Sequence, residues 1–120
     1  MSETNDRIGF FRVMDEERVI AFEGELLGEA SSQRGDKDRW FELRIYRTQA
    51  GAYIVSGIGK SRVPGETDLC WVKIVDAAED VIRALQRTDG DGELRLTNVA
   101  RKALDQAAEN AEEFATTLVA

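Results

Sequence analysis

The residue types that carry most protein chemistry are sparse in this chain. There is no histidine, and Cys70 is the single cysteine. Ser-His-Asp and Cys-His arrangements are therefore excluded, as are zinc sites built on histidine or on several cysteines. Cys70 lies in the stretch LCWVKIV, on the same predicted strand side as Val72 and Ile74. There a thiol is expected to be buried and inert. Gly57-Ile58-Gly59-Lys60-Ser61 ends like a phosphate-binding loop, but it lacks that motif's earlier glycine and leads into no helix. Asp89, Asp91 and Glu93 alternate like the first ligands of a calcium loop. Such a loop needs glycine at its sixth position and glutamate at its twelfth, and those positions are Leu94 and Ala100 here. The stretch reads as an ordinary acidic turn. Glu42 and Asp68 are the only central carboxylates placed for acid–base work, and nothing in the sequence links them. The chain reads as a non-enzyme with no catalytic residue, metal or cofactor.

The elements around these residues follow from their periodicity. Three strand patterns run from Trp40 to Val75, joined by two turn signals. Alternation along Trp40–Thr48 places Phe41, Leu43 and Ile45 on one side and Trp40, Glu42, Arg44 and Tyr46 on the other. Gly51 makes the first turn, and Ala52–Ile58 follows, with Ile54 and Ile58 opposite Tyr53 and Val55. Gly57 and Gly59 mark a bulge or a close approach in that strand. Pro64-Gly65 makes the second turn, and Leu69–Val75 sets Cys70, Val72 and Ile74 against Trp71 and Lys73. Earlier, Ile8–Met14 and Arg18–Ala30 read as two more strands around an Asp15-Glu16-Glu17 turn. In the second, Ile20, Phe22 and Leu26 oppose Glu23, Glu25 and Glu29, and Gly24 and Gly28 mark places to bulge or bend. Ser31–Arg39 is a polar loop of interleaved charge.

Helical spacing takes over after Val75. Asp76 and Glu79 have capping-box spacing, and Ala78, Val81, Ile82 and Leu85 form one stripe of a helix expected to end near Thr88. Glu93–Leu96 reads as a short extended piece. Thr97 or Asn98 then caps a last helix with an alanine-rich stripe running from Ala100 through Ala103, Ala107 and Ala111 to Leu118. That stripe suits close packing on the sheet, on the preceding helix, or on a second copy of the chain. Glu109, Glu112 and Glu113 stand where the helix dipole favours cations, which a helix break near Asn110 would relieve. The expected fold is α+β: an antiparallel meander of four or five strands followed by two helices, the last long and alanine-rich. It is one domain of 120 residues, with residues 1–7 a frayed tail, 8–75 the sheet and 76–120 the helical part. No apolar run exceeds four residues, so neither a membrane span nor a signal core is expected, and the chain reads as cytoplasmic.

Charge separates the functional readings. The chain carries a net charge of −7. Residues 1–39 hold ten acids and six bases, 40–75 three acids and five bases, and 76–120 ten acids and five bases. Acidic flanks around a basic meander disfavour direct contact with nucleic acid or anionic membrane and favour a basic partner. The first reading is a non-enzymatic acidic protein that docks on a basic protein or nucleoprotein complex through Glu23, Glu25, Glu29, Glu109, Glu112 and Glu113. Phage- or plasmid-borne inhibitors of nucleic-acid-binding defence complexes have this character, which is its sharpest form. The second reading is a single-strand-binding module. If the aliphatic sides of the three central strands stack in one layer, Arg44, Tyr46, Tyr53, Trp71 and Lys73 collect on the other as a stacking platform, unless a helix covers that face. Strands followed by a helix, with aromatic and basic sheet residues, resemble in outline small single-strand-binding coactivator domains. That likeness implies a fold and carries no motif. A small-ligand sensor or enzyme is the third reading, and the alanine stripe also permits a homodimer through the C-terminal helix.

Overall fold

The computed structural model describes residues 7–88 and 94–115. Met1–Asp6 of the expected tail, the Asp89–Glu93 turn and Leu118 lie outside these residues. Five strands form one antiparallel sheet in sequence order: β1 (Ile8–Asp15), β2 (Arg18–Ser31), β3 (Arg39–Thr48), β4 (Tyr53–Ser61) and β5 (Leu69–Val75). Helix α1 (Ala78–Leu85), a two-stranded ribbon of β6 (Gln86–Thr88) and β7 (Leu94–Leu96), helix α2 (Asn98–Asn110) and a 3₁₀ turn (Glu112–Phe114) follow. The turns use the residues their geometry demands: Gly51 has φ 95° and Gly65 φ 87°, the left-handed region open to glycine. Arg7 is not frayed, since its carbonyl accepts a 2.7 Å bond from the Leu26 amide and extends the β1–β2 ladder.

The sheet curls until its first hairpin meets its last strand, where the Glu16 amide donates to the Cys70 carbonyl at 2.9 Å. Inside the curl, Val13, Tyr46 and Ile54 are buried with Phe11, Ile20, Phe22, Leu26 and Val72 around them. Phe11, Phe22 and Tyr46 pack as a ring trio with centroids 4.9–5.7 Å apart; such pairs contribute about 0.5–1.5 kcal/mol each beyond area burial. Cys70 is only half-buried, on the strand that closes the curl.

The outer face holds the larger core, in which Leu27, Leu43, Ile45, Tyr53 and Val55 meet Val81 and Leu85 of α1 and the alanines of α2. Ala100, Ala103, Ala107 and Ala111 are buried there, so the alanine stripe packs on the chain's own sheet. A dimer through that stripe would have to displace this packing. The contact is tight because β2 bulges between Leu26 and Gly28 and the strand is bare at Gly28. A Cβ there would lie 2.1 Å from the Ala103 carbonyl oxygen and 2.8 Å from the Ala107 nitrogen. Of the bulge or close approach expected at Gly57, the structure has the close approach. The β3–β4 register is unbroken, and a Cβ at Gly57 would fall 2.1 Å from the Trp71 ring.

The helix ends differ from expectation at α1; at α2 the start agrees, and the helix stops at Asn110, short of the full alanine stripe. Ala77 is the N-cap of α1 with no side-chain bond, so Asp76 and Glu79 do not form a capping box, and the helix gives way to β6 after Leu85 rather than reaching Thr88. Thr97 caps α2 by accepting from the Ala100 amide at 3.1 Å. The helix stops at Asn110, whose side-chain amide donates to the Leu27 carbonyl at 2.7 Å. Replacing Gly28 with alanine forces two backbones apart, at a cost of about 3 kcal/mol. We expect the urea midpoint of G28A to fall accordingly; a loss below about 0.5 kcal/mol, the scale of a neutral surface change, would contradict this packing.

Candidate functional site

The strand register decides which candidate residues share a surface. Cross-strand partners point to the same side. Ile8 faces Glu25, Phe10 faces Glu23, Arg12 faces Ala21 and Met14 faces Val19. These pairs stand on the outer face, beyond the edge of α2. No described helix or strand covers them, and only the Arg12 guanidinium, 5.9 Å from the Phe10 ring centroid, lies over one of them: Ile8 is 61% exposed, Phe10 60%, Val19 56% and Met14 39%. Single exposed apolar side chains are ordinary, but four aligned on one hairpin face form a patch of the kind that marks an interaction surface. At the Ile8–Phe10 end the patch opens into an open groove of about 460 Å3, lined also by Glu23, Glu25, Arg47 and Gln49.

Arg47 is the electrostatic centre of this end. Its guanidinium donates to Glu25 at 3.1 Å and to Glu113 at 2.9 Å. Arg7 lies 3.7 Å from the other Glu25 oxygen. The Tyr53 hydroxyl also donates to Glu113, and the Tyr53 ring meets Phe114 edge-on at 5.4 Å. Burial, and then the bond to Glu113, push the Tyr53 phenol up. The Tyr53 hydroxyl first, and Arg47 behind it, hold the Glu113 carboxyl below its ordinary range against an opposing push from burial. The break after Asn110 makes this possible: Ala111 is extended at φ −146°, and the following 3₁₀ turn swings Glu113 inward.

The six glutamates are thus not equivalent. Glu25 and Glu113 are brought together, but on Arg47, and act as struts. Glu23 beside Phe10, and Glu109 and Glu112 at the end of α2, are exposed and make no ion pair among the described residues. Glu29 leaves the group. Strict alternation sets it beside Glu23 and Glu25, yet the bulge inserts one residue, so Glu29 faces Arg44 across the ladder with its carboxylate 3.6 Å away. The aromatic and basic platform is also dispersed. Tyr46 pairs with Ile54, so Arg44 and Tyr46 lie within the curl, whereas Tyr53 pairs with Arg47, and Trp71 with Gly57, on the outer face with Lys73. Tyr46 is 5% exposed and Tyr53 8%, which leaves neither ring open for base stacking. Arg44 is held between Glu29 and Glu42.

A second surface lies at the other end of the central strands. Phe41 and Leu69 are both exposed and flank Gly59 in an open pocket of about 740 Å3. Apart from Lys37, its charges are used internally. Arg39 grips Glu66 at 2.9 and 2.6 Å, and Lys60 lies 3.2 Å from Asp68. Arg39, then the Ser61 hydroxyl, lower the Glu66 carboxyl to about 2. Of these surfaces, the sequence pattern carried the acidic side of β2 but not Phe10, Ile8, Phe41 or Leu69. An apolar strand residue reads as core unless the extent of helix cover is known.

A depressed folded-state pKa contributes stability above the unfolded value, and that contribution is lost as pH falls through the folded value. The Glu113 contribution is therefore present at neutral pH and disappears below its ordinary value of 4.5. E113Q should be less stable than wild type at neutral pH, with the gap narrowing as pH falls below the ordinary value of 4.5; a gap independent of pH in urea titrations through the acid range would contradict the strut. Replacing Arg39 with methionine should return the Glu66 carbon-detected NMR titration toward 4.5 from about 2; an unmoved midpoint would contradict the Arg39–Glu66 pairing.

Among the described residues, no helix is long and apolar enough to cross a membrane. No family model, no curated protein and no solved structure matches this chain.

Proposed function

We propose that the chain is a non-enzymatic binding protein that docks on a basic protein through the outer face of its β1–β2 hairpin. One observation carries this reading: four exposed apolar side chains share a face with the carboxylate of Glu23, with the Arg12 cation among them. Such a patch favours a partner with apolar anchors, and the exposed carboxylates at its margin favour cations around them. Glu109 and Glu112, at the same end of α2 as Glu113, extend the acidic margin. Glu25 and Glu113 support it indirectly by fixing Arg47, and Glu29 drops out. The net charge of −7 over the whole chain adds long-range attraction for a basic partner and repulsion of nucleic acid. A basic nucleic-acid-binding surface of a defence complex, occupied by a phage- or plasmid-type inhibitor, is the sharper form of the same reading.

The sheet-face nucleic-acid reading is weaker, because its two tyrosines are buried and its arginine is paired. Docking is tested in the native host with p-benzoylphenylalanine at position 19, which faces Met14 at the other end of the patch from Phe10. Photolysis should give one dominant adduct with a basic protein. The same adduct should be lost in the F10D and the E23K/E112K backgrounds, and binding to the identified partner should weaken steeply between about 0.05 and 0.5 M salt, as the Debye length shortens below about 10 Å. An adduct that survives both backgrounds, or no adduct at all, would sink the proposal.

A further inference from the structure

A cavity unconnected with the docking surface lies at the Phe41 end of the sheet. Its volume is about 150 Å3, and it is bounded by Phe41, Leu43 and Trp71 of the sheet, Val99 of α2, and Arg87 and Thr97. The walls are mostly apolar. Gly57 lets the Trp71 ring lie against the strand backbone, where any Cβ would strike it at 2.1 Å. Leu43 is buried and Val99 half-buried, whereas Arg87 and Thr97 are exposed and mark the mouth. An apolar cavity of roughly 150 Å3 takes a single benzene-sized ring.

The mouth adds one charge requirement. The Arg87 guanidinium is held by bonds from Nη1 to the Ala84 and Gln86 carbonyls, at 3.3 and 3.2 Å. It has no ion pair among the described residues. Glu42, the other charged group bordering the cavity, is compensated: the Trp40 indole donates to it at 2.9 Å and Arg44 lies 3.7 Å away. A ring inside and a carboxylate at the mouth would therefore meet Trp71 and a fixed guanidinium with no carboxylate partner among the described residues, whose planar fork suits carboxylates.

We propose that this cavity binds a small aromatic carboxylate, with its single ring against Trp71 and its carboxylate on Arg87. The probes are sodium benzoate, benzyl alcohol (the ring without the charge) and acetate (the charge without the ring). Calorimetry and the Trp71 indole NMR resonance read binding to the full chain. Benzoate should bind saturably, shift that resonance and raise the thermal midpoint, and acetate should do neither. Filling the cavity with V99F should weaken benzoate at least about tenfold. R87M, at an exposed position that tolerates change if V99F does not fold, should weaken benzoate about ten- to a hundredfold and leave benzyl alcohol unaffected; this is the range of a lost charged hydrogen bond. Absence of benzoate binding at about 10 mM, which is weaker than any millimolar site, would overturn the proposal. So would equal binding of acetate or of benzyl alcohol, or an R87M protein that binds benzoate like the wild type.

Discussion

At Gly28 the backbone of α2 occupies the space where any other residue would place its side chain, and much of this molecule depends on that contact. The bulge at Leu27 turns Leu27 fully into the outer core and presents the bare glycine to Ala103 and Ala107. Only small residues on the helix allow so close an approach, and the stripe supplies alanine at each buried turn. Asn110 then ends the helix by bonding back to the bulged residue's carbonyl. The same few atoms thus fix where α2 lies, where it stops, and where the chain turns to bring Glu113 onto Arg47 and Tyr53.

That placement also decides what stays uncovered. Helix α2 lies over β2 and β3, and α1 packs against β4 and β5. No described element reaches the outer side of β1, so Ile8, Phe10 and Met14 face solvent although the pattern that carries them is that of a half-buried strand. The curl satisfies the inner side of β1 through Phe11 and Val13. The exposed side is therefore not needed by the fold as described, and its apolar character is free to serve a partner. The margin of that surface is acidic because the helix ends there and because β2 carries glutamates before the bulge.

Much of the fold could be read from residue order. Five strands, the Gly51 and Pro64-Gly65 turns, the Thr97 cap and the break at Asn110 all follow from local chemistry, because each depends on near neighbours in the chain. What could not be read depends on register and cover. Whether Tyr46 and Tyr53 share a face turns on the pairing Tyr46↔Ile54, which makes residues 46 and 53 point oppositely. Glu29 is separated from Glu25 by one inserted residue, a shift that Gly24 and Gly28 announce but do not place. Asp76 has the right spacing for a cap, yet α1 begins at Ala78. Sheet pairing, not local hydrogen bonding, carries the chain through Val75 and sets that start. For the site, the acidic pattern on β2 was visible, whereas Phe10 could be distinguished from a core residue only once α2 had been placed.

The most direct measurement is an NMR shift map of the isotopically labelled chain titrated with a short amphipathic peptide of leucine and lysine. Docking through this face predicts perturbations confined to the amides around Ile8, Phe10, Met14, Val19 and Glu23, absent when a control peptide with glutamate in place of lysine is used, and suppressed by about 0.5 M salt. Perturbations spread evenly over the acidic surface, or centred on α1 with the β1–β2 hairpin silent, would contradict it.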